Sequence, residues 1–229
     1  MIPLSLLDVV ALLFFLACWV VYSFFNEHGF RGRRGLSSLM NEHRFAWMEE
    51  MSRRESRIVD TGIMSGLQNG TAFFASTSLL ALGASVALLR ATDDVLRVSA
   101  DLPLGIVASR GLWELKVLGL ALIFGYAFFK FAWAYRLFNY AAILVGATPA
   151  ASSPHAEVRR RASRRAARMV TEAGRNFIGG QRAFFFSFAY LGWFVGPLAF
   201  IATTAATFVV IFRRQFVSAS RAAVDDLAS

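Results

Sequence analysis

The sequence predicts an all-α integral membrane protein: a bundle of four transmembrane helices, the second and third overlong, with amphipathic helices in the cytoplasmic loops. Three observations carry that prediction. Hydrophobic residues make up 56% of the 229-residue chain, 23 of them phenylalanine, and the mean hydropathy is +0.51. Charged residues collect between long uncharged runs instead of spreading evenly as on a soluble surface. The formal net charge of +9 then reads first as arginine retained in cytoplasmic loops, and a nucleic-acid site is not expected.

The first span is expected over 4–25, a length that suits one crossing of about 30 Å of hydrocarbon. No basic residue precedes this run and Trp19-Val20-Val21-Tyr22 continues it, so an uncleaved helix is expected rather than a signal peptide. Asp8 lies near its outer end, where a structural or solvated role is the default. The loop 26–60 holds seven arginines and six acids. Within it Leu36, Met40, Trp47, Met51 and Ile58 recur at helical intervals. They predict an amphipathic helix lying on the membrane or against another helix. Glu49 with Arg53 and Glu50 with Arg54 would support it as i,i+4 pairs.

The second span is expected over 63–89. It opens on Gly62, Gly66 and Gly70, whose spacing of four cuts a groove that lets another backbone approach. Counted from Ile58, the helix would run about 48 Å at 1.5 Å per residue, well beyond the bilayer core. An outer loop, 90–114, follows, punctuated by Pro103 and Gly105. The third span, 115–137, belongs to an equally overlong run from Leu115 to Gly146. Along it Lys130, Trp133, Leu137 and Tyr140 fall on one stripe, and Phe128, Phe131, Tyr135 and Phe138 on another. Arg136 is off the Lys130 stripe, so the two cations need not serve one ligand. Both lysines of the chain, Lys116 and Lys130, lie in this run.

Residues 147–154 read as a linker. In the helix that follows, Arg160, Arg161, Arg164, Arg165 and Arg168 share one face, which suits anionic lipid headgroups or simply sets topology. No aromatic platform accompanies them, which argues against nucleic acid. The loop is taken as 139–182. The fourth span is expected over 183–212, with a packing face at Gly192 and Gly196, a kink at Gly196-Pro197 and a stop at Arg213-Arg214. The loops 26–60 and 139–182 hold seven and eight arginines against three in 90–114. Four spans then place both large loops in the cytoplasm and both termini outside, in a bacterial inner (plasma) membrane. Arg213 and Arg214 on the outside would breach that rule.

A single cysteine, Cys18, excludes an internal disulfide or a multi-Cys metal site. His28, His43 and His155 are too scattered for a metal, and the repeated Asn26-Glu27-His28 and Asn41-Glu42-His43 reads as chance. No cofactor is expected. No HExxH, GxSxG, P-loop or GxGxxG pattern occurs, so catalysis is not expected.

Several stretches do resemble a known family. They are Arg44-x-x-Trp47-Met48, Ile58-Val59-Asp60, residues 73–77 (FFAST) and residues 128–133 (FFKFAW). Arg136-x-x-Asn139-Tyr140, Gly146-x-x-Pro149 and Arg213-Arg214-x-Phe216-x-Ser218 extend the match. Together they resemble an uncharacterised multi-pass membrane-protein family, domain of unknown function 599. The resemblance implies a small multi-pass helical protein and supplies no catalytic residues.

The expected function is that of a non-catalytic integral membrane protein, an accessory or assembly subunit or a self-associating scaffold. Its partners would be anionic lipids and either copies of itself or a larger membrane complex. The alternative is a small channel or transporter for an anionic solute or lipid. Its cationic site would lie at the cytoplasmic mouth, with Lys130, Arg136 and Asn139 facing Asp60.

Overall fold

The computed structural model describes residues 4–30, 34–100 and 109–225, apart from the side chains of 27, 28 and 98–100. The expected turns at Pro103 and Gly105 lie outside the described residues. Among the described residues eight helices follow in order: α1 Leu6–His28, α2 Leu36–Arg53, α3 Ile58–Arg90, α4 Thr92–Ala100, α5 Arg110–Gly146, α6 Ala156–Val195, α7 Pro197–Phe216 and α8 Ala219–Asp225. No strand occurs among the described residues. Four of the described stretches are long and apolar enough to cross a membrane: Leu6–Asn26, Ile58–Arg90, Arg110–Gly146 and Pro197–Asp225.

Local sequence starts the helices where they begin. Ser5 and Asp8 form a reciprocal capping box, the Asp8 N–H donating to Ser5 Oγ (3.1 Å) and the Ser5 N–H to Asp8 Oδ2 (3.2 Å). The Ser109 hydroxyl accepts the Leu112 N–H at the start of α5. The antiparallel pair α5 and α6 forms the centre; α3 packs on α5, while α7 and α2 pack on α6, and α1 lies along α7. α3 has 33 residues and α5 has 37, or about 50 and 56 Å of helix, so both expected overlong helices are present.

The C-terminal third differs from expectation in two ways. First, the arginine helix and the last apolar run are one element, the 40-residue α6, about 60 Å long. Second, the expected kinked span 183–212 is a helical hairpin. The chain leaves the helix at Gly196, whose backbone is extended, and Pro197 opens α7. Proline at a helix start needs no donor, while inside a helix it would lose a bond and clash with the turn before it. The Thr203 hydroxyl then donates back across the turn to the Ala189 carbonyl at 2.7 Å, and Phe200 stacks on Trp193 at 5.3 Å. A Cβ on Gly192 would collide with Thr203 and the Ala199 carbonyl, so the expected packing face at Gly192 is used inside the hairpin. Gly196 has nothing within 4 Å and serves only the turn.

α7 therefore runs alongside α1 in the same direction. Phe15 meets Phe200, Tyr22 meets Phe208, Phe25 meets Phe212 and Phe30 meets Phe216. Each such ring pair adds about 0.5–1.5 kcal/mol beyond its area. The hairpin also corrects the topology. Arg213, Arg214 and α8 lie at the end of the bundle that holds α2, where Arg221 donates to the Arg34 carbonyl and Gln215 to Asn26. The first and last described residues thus sit at opposite ends, not on one side as expected.

Two smaller corrections concern packing. α2 lies against α6, and its buried residues are Leu39, Met48, Met51 and Ser52. Met40 is 37% and Ile58 79% exposed, so the expected stripe is rotated. Arg53 pairs with both Glu49 and Glu50, freeing Arg54 for Asp60. On α3, a Cβ at Gly62, Gly66 or Gly70 would meet nothing within 4 Å. The groove faces away from the rest of the chain because α3 is an edge helix packed on α5.

Candidate functional site

The expected mouth of Lys130, Arg136, Asn139 and Asp60 is not one site. Asn139 Oδ1 accepts from Gln68 Nε2 at 2.6 Å, a bond that ties α5 to α3. Asp60 and Lys130 lie on opposite sides of that bond, about 25 Å apart along the helices. Asp60 is fully buried and accepts from Trp47 Nε1 (2.8 Å) and Arg54 Nη1 (2.9 Å). It fixes the entry into α3. Its neighbour Arg57 donates to the carbonyls of Val145, Thr148 and Pro149, tying the start of α3 to the last turn of α5 and the segment that follows it. Arg136 is exposed; its Nε donates to Tyr140 Oη, and its guanidinium sits 5.5 Å from the Trp133 ring and 5.4 Å from the Tyr140 ring. Trp133 and Tyr140 thus side with Arg136 on the outer face, not with Lys130. The expected stripe through Lys130 is broken.

Lys130 instead faces a polar cleft of about 500 Å³ between the end of α1, the start of α2, the middle of α5 and the middle of α6. Its Nζ donates to Asn176 Oδ1 at 3.3 Å and lies 5.8 Å from the Tyr126 ring. Gly179 passes beneath its stem, and at the adjacent Gly180 a Cβ would meet the Phe131 ring at 2.8 Å. Bulkier residues there would push α5 off α6 and close the cleft.

Arg175 and Arg182 complete the cationic lining, and Asn26 and Asn41 add amide groups. Glu172 is the acid on the wall among the described residues and is committed to Arg175 at 2.6 Å. Lys130 and Arg182 have no ion-pair partner among the described residues. Arg182 Nε is also buried, with no hydrogen-bond partner among the described residues. Nearby, Arg44 bonds Asn41 Oδ1 and lies over Gly174. Burial lowers its pKa from the usual arginine range, though a guanidinium stays charged regardless. The cleft is therefore an electropositive, hydrogen-bonding site, with two cations that have no ion-pair partner among the described residues, chemistry that fits an anion.

Sequence inspection missed Arg175, Asn176 and Arg182 because they fall in what reads as a basic loop. The repeated Asn-Glu-His triplets were a usable signal: the leading residues, Asn26 and Asn41, both line the cleft. The five arginines 160, 161, 164, 165 and 168 are exposed on α6 as expected, opposite the buried Ser163, Ala166, Ala167 and Val170. They lie about 16–29 Å further along α6 than Gly179, at the level of Lys130. No group of three metal-ligating side chains occurs among the described residues.

At the opposite end a second polar cluster is fully closed. Asp8 Oδ1 accepts from Trp193 Nε1 at 2.7 Å. Lys116 Nζ donates to the Trp193 carbonyl at 2.6 Å and lies 5.4 Å from its ring. Asp8 and Lys116 are each 5% exposed.

The chain belongs to a family of proteins of unknown function, DUF599, whose model matches residues 10–220. No curated protein and no solved structure matches it.

Proposed function

We propose that this is a non-catalytic integral membrane protein whose working site is the cleft at Lys130, where it binds an anionic group. The supporting observation is that two cations, Lys130 and Arg182, face one cleft with no ion-pair partner among the described residues. A cation near a bilayer is costly unless it snorkels or is paired, and an anion arriving from solution or from the lipid would pair it. With the arginine-rich end cytoplasmic, the cleft opens at the inner boundary of a plasma membrane. The hairpin supports that orientation, since it returns Arg213 and Arg214 to the basic side. Purification of the wild type and of a Lys130→Met/Arg182→Gln double variant in mild detergent tests the proposal. Mass spectrometry of bound small molecules should find an anionic compound in the wild type and not in the variant. Identical retained compounds would refute it.

The second reading, a self-associating scaffold or accessory subunit, is favoured by the exposed Gly62, Gly66 and Gly70. Such a stripe lets two backbones approach closely. Replacing Gly66 with cysteine in a Cys18→Ser background should give disulfide-linked dimers in native membranes. Failure to cross-link at any of the three glycines would argue for a monomer.

A further inference from the structure

α5 places the Lys130 cleft at a particular depth. Arg110 is exposed and paired with Asp93 and Glu114 near the start of the helix. From Arg110 to Lys130 the helix rises about 30 Å, the thickness of the hydrocarbon core. Lys130 therefore stands where lipid phosphates stand. The arginine face of α6, about 16–29 Å farther out, lies beyond a Debye length of about 8 Å from that plane. It is the cleft that meets the headgroup layer.

The surroundings of the cleft change character at one residue. α1 and α5 both pack on α6 but meet each other through Trp19 and Tyr126, at 6.1 Å between ring centroids. Tyr126 is 41% exposed and its ring also lies 5.8 Å from Lys130 Nζ. Toward the bilayer centre the seam is apolar, floored by Phe186 against Trp19. On the other side of Tyr126 it is cationic. A surface that is apolar on the membrane side and cationic at the cleft matches a molecule with an acyl chain and a phosphate.

We infer that the cleft is a lipid site. It takes the phosphate headgroup of an anionic phospholipid from the adjoining leaflet, with an acyl chain lying in the seam between α1 and α5. Lys130 and Arg182 hold the phosphate oxygens, and Asn176 and Asn26 the polar remainder of the headgroup. The inference rests on the anion-binding reading above and adds the source of the anion.

Native mass spectrometry of the full chain in mild detergent separates the two. The probes are dioleoyl phosphatidylglycerol, dioleoyl phosphatidylcholine and soluble glycerol 3-phosphate. Phosphatidylglycerol should be retained at least tenfold better than phosphatidylcholine. Lys130→Met and Arg182→Gln should each reduce that retention about tenfold, while Arg136→Ala, a cation on the same helix outside the cleft, leaves it unchanged. Trp19→Ala should weaken the lipid alone. If glycerol 3-phosphate bound as tightly and displaced the lipid, the lipid inference would fall and the anion site would stand. Equal retention of both lipids would also overturn the inference. Retention of phosphatidylglycerol unaffected by Lys130→Met and Arg182→Gln would remove the anion site itself.

Discussion

The two lysines of the chain sit on one helix, about 21 Å apart, and are held in opposite ways. Lys116 is closed in: it bonds a backbone carbonyl, lies over the ring of the same tryptophan and shares its surroundings with Asp8. Lys130 has one long bond to an amide, an exposed tyrosine beside it and an open cleft in front. The first ammonium is held by a carbonyl and a ring inside the fold, in a cluster whose Trp193–Asp8 bond also ties in α1. The second is the one we propose meets an anion from outside the chain. A charge inside a membrane helix is thus no sign of function until its partners are counted.

Changes at the closed end should cost the most stability. Trp193→Ala removes a side chain 1% exposed, its stacking on Phe200 and its bond to Asp8. The expected loss is about 3–5 kcal/mol, read as a lower midpoint of thermal unfolding in detergent. Asp8→Asn keeps the shape but weakens a charge-assisted bond and the field at Lys116, for about 1.5–3 kcal/mol by the same measurement. An unchanged midpoint for either would make the closed cluster ornamental.

Arg136→Ala gives up two exposed ring contacts and should cost about 0.5–1 kcal/mol, with ligand retention intact. Lys130→Met should have the smallest effect on stability, within about 0.5 kcal/mol, yet reduce retention of the bound anion about tenfold. A large drop in the unfolding midpoint for Lys130→Met would place Lys130 in the same structural class as Lys116 and erase the contrast.

The sequence made the helical class, the overlong α3 and α5 and the outward arginine face of α6 legible, because each depends on run length or helical period. The hairpin escaped because hydropathy has no direction: thirty uncharged residues read alike as one kinked crossing or as two arms. Pro197 and the breach of the charge rule at Arg213-Arg214 were the signals that the chain turns back. At the site, Lys130 was legible as an oddity in an apolar run, but its neighbours were not. Asp60 looked like a counter-ion only because its level on α3 was unknown; Trp47 and Arg54 already hold it. Arg182 and Asn176 needed the continuity of α6, which the expected break before residue 183 concealed. Lys116 and Asp8 are far apart in sequence, and nothing in their local context joins them to Trp193.

Lysine labelling reads the contrast between Lys116 and Lys130 directly. Reductive dimethylation of the folded protein in mild detergent, followed by peptide mass spectrometry, reports each ammonium separately. Lys130 should be modified readily and Lys116 protected until the protein unfolds, and an anion seated in the cleft should slow the labelling of Lys130 alone. Equal labelling of both lysines, or protection of Lys130 with modification of Lys116, would contradict the assignment of one as structural and the other as the binding cation.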